Sequence, residues 1–208
     1  MATSLDLFAY LAAFVSVILA LAVSDWVQSL HRLIRARRRV AWSLTAVVAS
    51  LIVFLAILEE FFGLWRLAGV ERFTYIDLLA LIIPPIVLSI AAMTALPDEV
   101  PEGGIDLACY YMDTRRILWL LVSLWVLAVA LRFTDMHQVV TGRRASVLEL
   151  GTLFPWQTLP LLALLGVMAW SSSRRVQLFG VLVAFALVNT AIVNRAIEVP
   201  TASARTAR

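Results

Sequence analysis

Few residues in this chain could do chemistry, and most sit inside or beside long apolar runs. Glu59 and Glu60 lie in the last third of one such run, Asp77 near the start of the next, and Arg132 and Asp135 at the end of a third. Asn189, Asn194 and Arg195 close the last. Ionisable groups inside a bilayer cost about 2.5–3.5 kcal/mol each at mid-span, and they usually face a bundle interior or a water-filled cavity. Two readings follow. Glu59, Glu60, Asp77, Arg132, Asp135, Asn189 and Arg195 line a polar vestibule in which Arg132 or Arg195 partners a carboxylate, or each reaches the interface and is hydrated. Glu59 and Glu60 are adjacent, so they point about 100° apart on a helix and at most one meets a given partner.

A second set opens the polar stretch after the first apolar run, DWVQSLHRLIRARRR. Asp25 and Gln28 mark the membrane boundary there. Asp25 can pair with Arg32 or Gln28 along its own helix, bond a neighbouring span, or stay a helix-end charge among headgroups. Arg32, Arg35, Arg37, Arg38 and Arg39 form a basic face suited to anionic lipid. His31 and His137 have no metal-ligand spacing, and the single cysteine, Cys109, cannot form an intrachain disulfide. No phosphate-cradling loop, nucleophile elbow, zinc-helix or dinucleotide fingerprint is present. No metal, cofactor or catalytic residue is expected.

The elements that must position these residues are read from hydropathy. The chain has 208 residues and is 62% hydrophobic, against about 45–50% for soluble domains. Its mean hydropathy is +0.92. The net charge of +3 comes from 17 arginines against 14 acidic residues, with no lysine. These arginines punctuate apolar segments, which argues for membrane flanks rather than a nucleic-acid surface.

Six segments reach or approach the ~20 residues that cross a bilayer core. They are residues 5–23, 41–64, 73–96, 116–133, 150–170 and 176–193. The expected fold is therefore all-α: one domain over residues 1–195, a bundle of six transmembrane helices, with a basic cytoplasmic extension of the first helix. Residues 196–208 form a flexible polar tail. MATSLD lacks the basic start of a secretory signal, so the first helix is expected to be retained. Ala12, Ser16, Ala20 and Ser24 recur every fourth residue and could pack against another helix. Trp26, Leu30, Leu33 and Ile34 share a face of the extension. Gly180 and Ala184 make a small-xxx-small pair. Pro84-Pro85 should kink the third span, since proline removes a donor and clashes with the preceding turn. Residues 97–116, with five acidic side chains, read as a solvated loop entering a short amphipathic helix.

Orientation follows from arginine placement. The connections after the first, third and fifth spans hold nine arginines and the other side holds eight. The flank before the first span has none and the flank after it has five. The first helix usually dominates, so Arg32–Arg39 are placed in the cytoplasm and both termini outside.

The run FVSVILALAVSDWVQSLHRLIRARRRV, Pro84 and Pro97-Asp98 around the third span, and Tyr110-Tyr111 with Arg115-Arg116 resemble a group of uncharacterised small bacterial six-helix integral membrane proteins. The likeness covers about residues 5–120. It implies a bacterial inner membrane and transfers no catalytic or ligand-binding residue. The expected role is a non-enzymatic scaffold or partner subunit, with a small transporter or channel as the alternative and a lipid-modifying enzyme third. Expected partners are the bilayer, anionic lipid at the cytoplasmic face, and a second copy or another membrane protein. No nucleic acid is expected.

Overall fold

A computed structural model describes residues 4–64, 75–141 and 158–193, with side chains over 9–64, 75, 78–131 and 158–189. The described residues fold almost entirely as helix: α1 (Ser4–Arg35), α2 (Leu44–Gly63), α3 (Tyr75–Ala95), α4 (Leu107–Thr141), α5 (Thr158–Trp170) and α6 (Arg174–Val193). Two short strands, β1 (Val40–Ala41) and β2 (Ile105–Asp106), pair in parallel, Val40 opposite Ile105. α1, α2, α3 and α4 are long and apolar enough to cross a membrane, while α5 is a shorter apolar helix.

The helix positions differ from the expected spans in informative ways. α2 and α3 lie within two or three residues of expectation. α1 is one unbroken helix of 32 residues, as the absence of glycine and proline requires. α4 begins at Leu107 rather than near 116, so the anticipated separate amphipathic helix is simply the first turns of α4. The start of the fifth expected span and the polar tail lie outside the described residues.

α2 is central, packed against α1, α3, α4 and α6, while α4 packs on α3 and α5. Its buried positions include Ala46, Ala49, Ile52, Val53, Ala56 and Ile57, small residues alternating with branched ones. This lets neighbouring backbones approach on more than one side. At the α5–α6 crossing, a Cβ on Gly180 would stand 2.9 Å from the Met168 side chain, so the small residue there admits Met168. Ala184 is buried one turn on.

α1 presents a different stripe from the one its small residues suggest. The buried positions are Leu11, Val15, Leu19, Ala22, Trp26, Ser29 and Leu33, whereas Ala20 and Ser24 are exposed. A strict four-residue repeat drifts about 40° per step around a 3.6-residue helix. Steps alternating between three and four stay on one face. Within the extension, Trp26 and Leu33 are buried and Leu30 is half-buried, but Ile34 is exposed.

Depth along α1 follows from its contacts. Trp26 stacks on Phe54 with ring centroids 4.8 Å apart. Phe54 lies ten residues into α2, roughly 15 Å from that helix's start. Arg35, nine residues beyond Trp26, therefore stands level with the beginning of α2. The first helix stays alongside its neighbours well past Val23, and the extension up to Leu33 belongs to the bundle.

α3 runs without interruption through Pro84 and Pro85, both buried. The Ser89 hydroxyl, one turn on, donates to the Pro85 carbonyl at 3.0 Å and lies 3.5 Å from the Ile18 carbonyl of α1.

Candidate functional site

The C-terminal ends of α1, α3 and α5 and the N-terminal ends of α2, α4 and α6 meet at one end of the bundle. The β1–β2 bridge joins the first two connections. Arg115 joins the third: its Nε donates to the Ser171 carbonyl at 3.0 Å and its Nη2 to the Ser172 hydroxyl at 3.1 Å, while Nη1 turns back to the Met112 carbonyl. This end gathers Arg32, Arg35, Arg37, Arg38, Arg39, Arg115, Arg116, Arg174 and Arg175, the nine arginines of the alternate connections.

The acidic connection keeps Asp98, Glu99, Glu102 and Asp106 exposed, as expected of a solvated loop, but its course is tied to α1. Ser29 donates its hydroxyl to Asp98 Oδ1 at 3.2 Å, and Arg32 Nη1 donates to the Asp98 carbonyl at 2.8 Å. Gly104 has φ +87°, and a Cβ there would stand 2.4 Å from the Arg39 carbonyl oxygen. Only glycine supplies both the left-handed backbone and the close approach. The loop is thus clamped along the α1 extension, because Ser29 and Arg32 give its polar groups partners that open solvent otherwise would. Asp106 then caps α4, accepting from the Ala108 N–H at 2.7 Å and the Cys109 N–H at 3.3 Å. These donors, Ala108 foremost, hold its carboxyl below the usual carboxylate range.

Two cavities open at this end. One, of about 720 Å³, lies between Arg32, Arg35 and Arg39 on one wall and Asp98, Glu99 and Val100 on the other, with Ala36 between. The other, about 210 Å³, is lined by Ser43, Thr45, Ala108, Tyr111, Met112, Arg174 and Gln177.

Beneath the smaller cavity lies a buried network that the sequence does not announce. Trp119 Nε1 donates to the Tyr111 hydroxyl at 2.9 Å, which donates to Gln177 Oε1 at 2.5 Å. Gln177 Nε2 donates in turn to the carbonyls of Met168 at 2.6 Å and Ser171 at 2.8 Å. Gln177 is 1% exposed and Tyr111 3%. The network therefore ties α4 to α6 and satisfies carbonyls that α5 leaves open at its C-terminus. Its one signal in the sequence is a lone glutamine in the apolar run of the last span.

Farther along the bundle, the described side chains of the expected vestibule are those of Glu59, Glu60 and Asn189. Glu60 is 3% exposed and its Oε2 accepts from Trp125 Nε1 at 3.0 Å, linking α2 to α4. Glu59 is only half-buried, as the 100° offset between the two requires. Asn189 donates to the Phe185 carbonyl of its own helix at 2.8 Å and so uses its amide locally. The side chains of Asp77, Arg132 and Asp135, and all of Asn194 and Arg195, lie outside the described residues, as does the side chain of His137.

At the opening of the basic stretch, Gln28 Nε2 donates to Ser24 Oγ at 3.1 Å rather than to Asp25. Arg32 is occupied by the Asp98 carbonyl. Asp25 Oδ2 is buried with no hydrogen-bond partner among the described residues, and so is the indole nitrogen of Trp26. The two residues considered as its helical partners, Gln28 and Arg32, bond Ser24 and the Asp98 carbonyl.

Among the described residues no group of three or more His, Cys, Asp or Glu comes together as a metal site would require. No family model matches the chain, and comparison with curated proteins and with solved structures likewise gave no match.

Proposed function

We propose that the chain is a multi-pass integral membrane protein of a bacterial inner membrane, a six-span bundle with its arginine-rich end in the cytoplasm and both termini outside. Its role is that of a non-enzymatic scaffold or partner subunit. Four helices of membrane-crossing length and the collection of nine arginines at one end support the placement. The resemblance to small bacterial six-helix proteins agrees with it. Arg37 and Arg38, exposed beyond the end of α1, suit contact with anionic lipid.

The observation that carries the scaffold reading is the interior between Gln177 and Glu60. There the buried side chains of α2 and α4 are apolar apart from Ser50, which donates its hydroxyl to the Val47 carbonyl of its own helix, and the polar atoms that α1 adds beside Phe54 are Asp25 Oδ2 and the Trp26 indole nitrogen. Such a packed, apolar centre suits assembly rather than passage. Around it α3 exposes Ile83, Ile86, Ile90 and Met93, a face available to lipid or to a partner helix.

One observation favours the transporter reading instead. Glu60 is a buried carboxylate within a helix apolar enough to cross a membrane, and such residues mark ion or proton paths. The deciding experiment joins native mass spectrometry in nanodiscs with flux measurements in vesicles. A discrete assembly larger than one 23.1 kDa chain, without ion flux, is the expected result. A monomer whose proton or ion flux disappears in Glu60→Gln overturns the scaffold reading in favour of transport. Reporter activity in the cytoplasm from a C-terminal fusion would reverse the orientation.

A further inference from the structure

The larger cleft has walls of opposite charge whose charged ends stay apart. Arg32 and Arg35 at the end of α1 and Arg39 in the 3-10 turn that follows line one side, and Asp98 and Glu99 line the loop side. Arg32 meets the main-chain carbonyl of Asp98 rather than its carboxylate. None of the three guanidiniums forms an ion pair with Asp98 or Glu99, and Arg35 and Arg39 make no side-chain hydrogen bond among the described residues. Oppositely charged side chains on flexible stems would ordinarily collapse together. Here the backbone keeps them apart: Ser29 holds Asp98, the Val40–Ile105 bridge fixes the loop, and Gly104 seats it on the Arg39 carbonyl. The cleft is open to solvent, with its five charged side chains exposed, and its volume of about 720 Å³ compares with roughly 300–1,000 Å³ for small-ligand sites.

We propose that this cleft binds a zwitterionic headgroup of the phosphoethanolamine type, its phosphate on Arg35 and Arg39 and its primary ammonium on Asp98 and Glu99. A phosphate diester carries one negative charge and accepts from guanidinium forks. A primary ammonium has three N–H donors for two carboxylates. A trimethylated ammonium has none, and a glycerol headgroup brings no positive charge to the acidic wall. Arg35 stands level with the start of α2, which puts the cleft at headgroup depth if the helices cross a bilayer. The inference therefore rests on the membrane placement proposed above, but not on the scaffold role.

The test uses the full chain in nanodiscs holding equal amounts of phosphatidylethanolamine, phosphatidylglycerol and phosphatidylcholine, and reads the lipid retained after detergent transfer. The ethanolamine lipid should be retained about tenfold over the choline lipid, the worth of one charge-assisted hydrogen bond. Asp98→Asn combined with Glu99→Gln should abolish the preference for ethanolamine over glycerol. The amide oxygen introduced by Asp98→Asn still accepts from Ser29, and Glu99→Gln alone, at an exposed position, should give part of the same loss. Arg35→Ala with Arg39→Ala should lower retention of all three phosphate-bearing lipids. Soluble O-phosphoethanolamine competing as well as the lipid would assign the site to a free ligand of the same chemistry; retention of lipid alone assigns it to the membrane. Wild-type retention of phosphatidylglycerol equal to that of phosphatidylethanolamine, or a preference untouched in the Asp98/Glu99 variant, overturns the proposal. Failure to enter nanodiscs would instead count against the membrane placement, and binding of O-phosphoethanolamine in detergent would still decide the cleft.

Discussion

Two tryptophans six residues apart on α4 show how differently this bundle treats buried polarity. Trp119 donates to a neutral hydroxyl, and the chain of donors runs on through Tyr111 and Gln177 to two main-chain carbonyls. Trp125 donates to a carboxylate, Glu60. Six residues turn a helix through about 600°, so the two indoles leave α4 in different directions. One tightens the join between helices near the arginine-rich end. The other holds a buried acidic group in the last turn of an apolar helix. A neutral network with every member partnered rigidifies a core at little electrostatic cost. A buried carboxylate costs more and is kept where it does something more than pack. The first cluster is therefore read as architecture, and the second is where any chemistry of the interior would reside.

The largest expected effect lies in the first cluster. Gln177→Leu leaves the Tyr111 hydroxyl without its acceptor and the Met168 carbonyl without its donor, while Arg115 still serves the Ser171 carbonyl, and should cost about 3 kcal/mol in unfolding of the detergent-solubilised protein. If stability were unchanged, the network would not be the fastening between α4 and α6. Trp125→Phe keeps the ring and removes one donor from Glu60. It should cost about 1–2 kcal/mol, less than Gln177→Leu, and an equal or greater loss would erase the contrast between the clusters. The smallest effect sits at the cap of α4. The folded Asp106 carboxyl titrates below its ordinary value, so the fold favours its ionised form. Its contribution is present above the ordinary aspartate range and fades as pH falls through the lowered folded value. Asp106→Asn, which still caps, should remove that acid-side dependence while leaving stability at neutral pH nearly unchanged. Thermal unfolding across an acid series would show it.

The helices were legible because hydropathy is local. Ala41 to Ala95 divides correctly to within a few residues without knowledge of what packs on what. The gathering of alternate connections at one end also follows from antiparallel order alone. The side-chain partnerships do not. Tyr111 and Gln177 are separated by 66 positions, and Glu60 and Trp125 by 65. Nothing local to either residue announces the other. Gln177 draws no notice because it is uncharged, although an amide in an apolar run also demands a partner. The α1 stripe misleads for a geometric reason: small residues every four positions look aligned in print, but the helix carries them off the packing face. The acidic loop is exposed as its charges suggest, but how it is tied to α1 is not legible. The decisive residues are Ser29, which is inconspicuous in sequence, and Gly104, which reads as ordinary turn punctuation.

The parallel pairing of Val40 with Ile105 has a bearing on the order of assembly. Two whole helices separate the partners, so when the extension of α1 is complete its mate has not yet been synthesised. The fastening that seats the acidic loop along Arg32–Arg39 can close only after α2 and α3 are in place and α4 has begun. Until then these arginines lack the neighbours that later flank them. Under the membrane placement proposed above, they would act during biogenesis as an unshielded block of positive charge, when charge has most influence on how a nascent helix is threaded. The same side chains thus serve twice: bare during insertion, then as one wall of a finished cleft.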